Sequence, residues 1–368
     1  MYGQQSLENN LFLMFYGGIA MLALVAGLYL WLRRSNTITL DVNPPQALRQ
    51  WTAAFLITAA LSHVWWYVLG VYWLVDDRLV RNITAVTLDY ITLVPLVIAM
   101  LLHMLQDRQR RVWPWALAHV PIAVLAAIGI VTRNEFYGLE ITHYWQIVVI
   151  IIFVAYYINA LKQYGKWLHE NYADLEHKEI WQSLLFVVVL LVIHELYSTN
   201  PGEIEKEFLA QFYTLFIIAF LIWRVETLQE LDAKEKSTAE SEAEISNANI
   251  SIPSNIGDLL QEHCEAQNLY LLHDLTLVQL GKAIGINRTY LSTYFAQQGI
   301  SYSAYINRLR IIHFEQLYRE TMASQQSVTA QQLAHECGFK SYSTFAVAFK
   351  QFEGQNVTTW MKSQTPDL

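Results

Sequence analysis

Two groups of side chains in this sequence have the types and spacing to do chemistry. The first stands inside long apolar runs: His63, Asp89, His119, His194 and Glu195, with Trp65, Trp66 and Tyr90 close by in the chain. An ionisable group in hydrocarbon costs a few kcal/mol, so it turns to a partner or a water-filled cavity. Two readings stay open. His63, Trp66, Asp89, His194 and Glu195 line a pocket for a small-molecule or lipid ligand, or these residues hydrogen-bond to one another and hold helices together. The second group is the outward set of two polar-faced helices: Arg288, Thr289, Tyr290, Ser292 and Thr293, and then Lys340, Tyr342, Ser343 and Thr344. In each set a cation precedes hydroxyl-bearing side chains, which suits contact by charge and directed hydrogen bonds rather than bond-making. No nucleophile–base pair, HExxH helix or phosphate-binding loop occurs, so no enzyme, catalytic residue or cofactor is expected. Cys264 and Cys337 have no ligand partners at metal-binding spacing and read as reduced, partly buried thiols, so no metal is expected either.

The elements that position these groups fall into two environments. The chain has 368 residues, 54% of them apolar and only 15% charged, a balance that favours a membrane class. Nearly all the apolar runs precede residue 225. Seven approach the length of a membrane span: Leu11–Leu32, Trp51–Leu74, Ile83–Leu105, Val112–Val131, Tyr144–Leu161, Ile180–Tyr197 and Phe208–Trp223. The first is too long for a signal peptide and lacks a preceding basic residue, so a retained span is expected. The last run contains no lysine, which argues against a retinal Schiff base. A transporter or channel with a regulatory DNA-binding tail stays open as the alternative: such proteins can show weak internal symmetry and interrupted helices, although no repeat relates the halves here.

Basic residues orient the spans. Odd-numbered loops carry Arg33, Arg34, Arg49, Arg108, Arg110, Arg111, Lys162, Lys166 and Lys178, whereas the other side carries Arg78, Arg81, Arg133 and Lys206, nine against four. The N-terminus is therefore expected outside, and everything after Arg224 in the cytoplasm of a bacterial inner membrane. Next, residues 225–236 read as helix, with Leu221, Val225, Leu228 and Leu231 forming an apolar stripe. That stripe suits either a short homodimeric coiled coil or a solvated juxtamembrane helix. Residues 237–253 (STAESEAEISNANISIP) read as a flexible acidic linker. The expected domains are thus 1–225, 226–253 and 254–368.

Net charge is −8 overall. Residues 269–368 hold eight Lys or Arg against six acids, hence +2, which leaves −10 for the rest. A mildly basic module is compatible with phosphate contact. Its pattern is a helix at Asn255–Asn268, then two repeats of helix, glycine turn and polar-faced helix. In the first, Leu277, Leu280 and Ile284 face inward, Gly285 breaks the helix, and Asn287 caps Arg288–Gln298, with Leu291 and Phe295 inward. In the second, helix Thr329–Cys337 buries Leu333, Gly338-Phe339 turns, and Ser341 caps a helix to Gln351 that buries Phe345 and Phe349. Both are helix-turn-helix patterns, and residues 303–319 read as one helix joining them.

At these residues the sequence resembles the AraC/XylS family. The matching motifs are Tyr290-Leu291-Ser292 with Phe295, Asn307 with Arg310, and Ala334, Gly338-Phe339, Ser341, Phe345 and Phe349-Lys350. The likeness spans about residues 270–362 and departs after Gly354, where Val357-Thr358-Thr359-Trp360 replaces the family's usual proline. It implies that Arg288, Thr289, Tyr290, Thr293, Lys340, Ser341, Tyr342 and Thr344 face double-stranded promoter DNA, with Ser341 equally suited to capping. RNA polymerase is a plausible further partner, and membrane-anchored members with a multi-span sensor fit the resemblance. The expected fold is all-α: a seven-helix transmembrane bundle in the lipid bilayer, plus a soluble domain of two helix-turn-helix units joined by a linker helix.

Overall fold

Residues 7–40, 42–69, 77–199, 204–231, 255–324 and 328–364 are described by the computed structural model, and their regular structure is helical apart from one isolated bridge between Tyr172 and Thr276. The chain divides into two units, residues 1–162 with 180–231, and residues 163–179 with 232–368.

The first unit contains α1 (Leu7–Leu32), α2 (Gln46–Tyr67), α3 (Arg78–Met104), α4 (Trp113–Leu117) and α5 (Val120–Thr132). It also holds the start of α6 (Thr142–Asn171), then α7 (Gln182–Thr199) and α8 (Ile204–Thr227). Five helical stretches among the described residues are long and apolar enough to cross a membrane: Asn10–Leu32, Arg78–Met104, Trp113–Thr132, Phe136–Asn171 and Glu205–Thr227. Gln182–His194 is shorter, and α2 falls short because Arg49, Gln50, Thr52, Ser62 and His63 dilute its apolar content. Only 22% to 39% of the residues in the five apolar windows are buried, so helices such as α1 leave Met14, Met21, Val25 and Trp31 uncovered. Hydrocarbon removes the cost of that exposure, whereas water would not.

Two expected elements differ in detail. The run at residues 112–131 is broken into α4 and α5, each with proline in its first turn, because Pro121 cannot donate the amide that would continue α4. α6 continues ten residues past Leu161, so Lys162 and Lys166 are helical rather than in a loop.

The end of α1, the start of α2 and the end of α8 are joined by a buried ion pair. Arg49 Nη2 lies 3.0 Å from Glu226 Oε1, the two side chains being 1% and 0% exposed. Arg49 also donates to the Leu30 carbonyl and to Asn36 Oδ1, while Glu226 accepts from Tyr29 Oη and from the amides of Thr37 and Ile38. The chain after α8 is held by the same unit. Glu230 donates its amide to Asn43, and Gln106 bonds both the Gln229 carbonyl and the Leu231 amide. The stripe Leu221, Val225, Leu228 and Leu231 is buried inside its own unit, and α8 ends at Thr227, so residues 228–231 depart from the helix expected over residues 225–236, of which residues 232–236 lie outside the described residues. The expected linker at residues 237–253 lies outside the described residues.

Removing one partner of a pair this buried leaves an uncompensated charge. Arg49→Ala is expected to destabilise the protein by about 3–5 kcal/mol, read from denaturant unfolding in micelles. A change below about 0.5 kcal/mol would mean that the pair contributes nothing.

Candidate nucleic-acid interface

The second unit builds two apolar cores on one long rod. It opens with α9 (Ile256–Leu259), which passes at once into a π-helical turn over Leu260–Glu265, in place of the single regular helix expected for this stretch. α10 (Leu277–Ile284) follows, capped by Thr276 and Gln279 in a reciprocal box. Gly285 then adopts φ 72°, which only glycine does without strain, and turns the chain into α11 (Arg288–Gln297), where Asn287 accepts the Thr289 amide. α12 (Tyr302–Ala323) is capped by Ser301 and is four residues longer at its C-terminal end than expected. The second helix-turn-helix is α13 (Ala330–Glu336), capped by a Thr329–Gln332 box, and α14 (Tyr342–Glu353); α15 (Val357–Gln364) completes the chain.

Leu277, Leu280, Ile284, Leu291, Phe295, Tyr302 and Ile306 share one core. Ile311, Phe314, Leu333, Phe339, Phe345, Phe349 and Trp360 share the other. Trp360, in the segment that departs from the family pattern, packs against Phe314, Tyr318 and Phe349. Cys264 and Cys337 are buried in these cores, and burial pushes both thiols up to about 12, which keeps them protonated.

Arg310 sits between the cores with no exposed surface. It donates to the carbonyls of Tyr270 and Leu272 at 2.7 Å each, and its guanidinium lies 5.4 Å from the Phe339 ring centre. Gly338, at φ 90°, lets the second turn approach the Leu271 carbonyl oxygen, which a Cβ would meet at 2.7 Å. Residues 270–272 are thereby pinned to both the rod and the second helix-turn-helix.

The eight residues that the resemblance implies fall around the starts of α11 and α14, except Thr293, which lies in the second turn of α11. Arg288 is the first residue of α11, half-buried, with Nε donating to Asn171 Oδ1 at 2.8 Å. Thr289 and Thr293 are half-buried one turn apart, Thr293 Oγ1 donating to the Thr289 carbonyl, while Tyr290 packs against the first core. Lys340 is exposed and ion-paired with Asp274. Ser341 is the α14 cap, accepting the Thr344 amide at 3.3 Å, and Tyr342 is 37% exposed. Asp274 also holds Lys178 Nζ at 3.3 Å. Burial alone would raise the Asp274 carboxyl, but Lys178 and Lys340 together hold it below the usual carboxylate range. Asn171 and Asp274 went unnoticed in the sequence. A neutral amide 117 residues from its partner leaves no local signal, and Asp274 stands alone among leucines.

In the first unit, the structure brings some of the other candidates together. Asp89 accepts from Ser62 Oγ at 2.6 Å and from Trp66 Nε1 at 2.7 Å. The next residue, Tyr90, bonds His143 Nδ1 at 3.1 Å, and His143 stacks on His194 with centroids 5.4 Å apart. His63 instead contacts Gln211 Oε1 at 3.0 Å and the Tyr16 ring. The Glu195 side chain lies outside the described residues. His143 and Gln211 are members of this network that the sequence reading passed over.

Residues 280–363 match a family model described as a helix-turn-helix domain. The match supports a DNA-binding module in this part of the chain, and with it DNA-binding transcription regulation with double-stranded DNA as partner. The same match supports the AraC-type reading of this module. No curated protein matches the chain, and no solved structure does.

Proposed function

We propose that this chain is a membrane-bound one-component transcription regulator. In this reading residues 1–225 form a seven-span sensor in a bacterial inner membrane, residues 226–253 connect, and residues 254–368 bind promoter DNA. The observation that carries it is the presence, in one chain, of an AraC-type match at residues 280–363 and five upstream helices apolar enough to span a bilayer. The excess of basic residues in odd-numbered loops favours a cytoplasmic C-terminus, the side on which DNA is reached.

The reading assigns DNA contact to Arg288, Thr289, Tyr290 and Thr293 of α11 and to Lys340, Ser341, Tyr342 and Thr344 of α14. The N-terminal residues of a recognition helix are those that reach base edges, and the hydroxyls supply phosphate and base hydrogen bonds. α12 supports the two-groove geometry. Its 22 residues span about 33 Å, close to the roughly 34 Å between successive major grooves on one face of DNA. Ser341 serves mainly as the α14 cap. For the sensor, the Ser62–Asp89–Trp66 group and the adjacent Tyr90–His143–His194 group are the signal-responsive polar network, with His63 and Glu195 as further members; a small-molecule or lipid ligand perturbs it.

The full-length protein in nanodiscs is expected to retain a selected duplex with an affinity that falls steeply as salt rises. Arg288→Ala and Lys340→Ala should each weaken it at least tenfold, about 1.4 kcal/mol or more, and unchanged binding in both variants would remove the assignment. Asp89→Asn and His194→Ala should alter a reporter's response to growth conditions while leaving duplex affinity intact. If the response is unaltered in both, the network is structural only.

A further inference from the structure

Seventeen residues that stand in the sequence between the fifth and sixth apolar runs belong to the DNA-binding unit. Gln163–Glu179 groups with residues 232–368, and its contacts converge on the first helix-turn-helix. Ala173 is 1% exposed within the core of Leu275, Leu277, Leu280 and Leu291, and its amide donates to the Leu275 carbonyl. Tyr172 forms an antiparallel bridge with Thr276, the cap of α10. Asn171 accepts from Arg288 Nε at 2.8 Å, and Lys178 pairs with Asp274, which also holds Lys340. The segment is itself ordered: Tyr164 Oη donates to the Lys178 carbonyl, Trp167 meets the Tyr172 ring edge-on, and Lys178 Nζ lies 5.5 Å from the Tyr172 ring centre.

We propose that residues 163–179 are an intramolecular latch that docks on the first helix-turn-helix and competes with DNA for it. The inference rests on the DNA-binding reading above and adds its regulation. The start of a recognition helix is the end presented to the groove, and here the first residue of α11 already hydrogen-bonds a side chain of the latch. A duplex drawing on Arg288 must displace Asn171. Asn171 and Lys178 meet the module through an amide hydrogen bond and an ion pair, contacts that water and phosphate can replace, so the docked arrangement is separable. Both ends of the latch continue covalently into α6 and toward α7, the elements that carry His143 and His194. A change in how those helices pack therefore pulls on the segment that holds Arg288, and differential stability of docked and released states is what couples the two sites.

The test uses the full-length protein in nanodiscs and a duplex it selects from a random-sequence pool. In Tyr172→Cys/Thr276→Cys, oxidation should join the bridged pair, verified by mass, and lower duplex affinity at least tenfold relative to the same sample reduced. Asn171→Ala should bind about tenfold more tightly than the parent, within the usual range of allosteric coupling. Equal affinity in the joined and reduced forms overturns the latch, as does tighter binding when joined, which would make the segment a required part of the DNA-binding fold. Failure of the underlying reading looks different. In that case Arg288→Ala leaves duplex binding unchanged, whereas a failed latch leaves the dependence on Arg288 in place.

Discussion

The DNA-binding unit depends on one buried guanidinium. Arg310 stands at the midpoint of α12, between the two apolar cores, and ties the rod to residues 270–272 and to the Phe339 ring. A buried charge without partners costs several kcal/mol, against a typical domain stability of about 5–15 kcal/mol. Each of its contacts is therefore effectively obligatory. Because those contacts come from the entry segment and from the second turn, Arg310 fixes the second helix-turn-helix on the rod. The cap boxes at Thr276 and Thr329 then set where α10 and α13 begin, and Asn287 and Ser341 set where α11 and α14 begin. Two polar helix starts on a rigid spacer follow from that arrangement.

The first unit uses the same device at a different place. Arg49 and Glu226 are buried together where α1 and α8 end and α2 begins, so the last apolar helix cannot shift without disturbing the loop after the first. Farther along the helices, Asp89 and the His143–His194 stack supply polar contacts among α2, α3, α6 and α7. Interactions of this kind have few alternative geometries, which lends a helix bundle discrete packing states rather than continuous flexibility.

Much of this was legible in the sequence because it is local. Helix starts at Asn287, Ser341 and Thr329, the turn at Gly285, and the inward positions Leu277, Leu291, Phe345 and Phe349 follow from capping chemistry and 3.6-residue periodicity. What escaped is long-range. The apolar stripe through Leu221, Val225, Leu228 and Leu231 has the spacing of a dimer seam, yet it is buried within its own unit, and nothing local distinguishes the two. Glu226 looked like one acid in an acidic connector, although it is the counter-ion of a residue 177 positions away. Asn171 and Lys178 read as loop residues, because contacts across 117 and 96 positions leave no periodic trace. The match at residues 280–363 agrees with the motif-based reading of that region.

The central claim is that a chain with membrane-spanning helices engages DNA through two helix-turn-helix units held one groove apart. Hydroxyl-radical footprinting of the full-length protein in nanodiscs, on a selected duplex, tests it most directly. The account predicts paired protected patches on one face of the duplex, their centres about 10 base pairs apart, with both patches fading together as salt rises. A single patch, or protection with no preferred face, would contradict it.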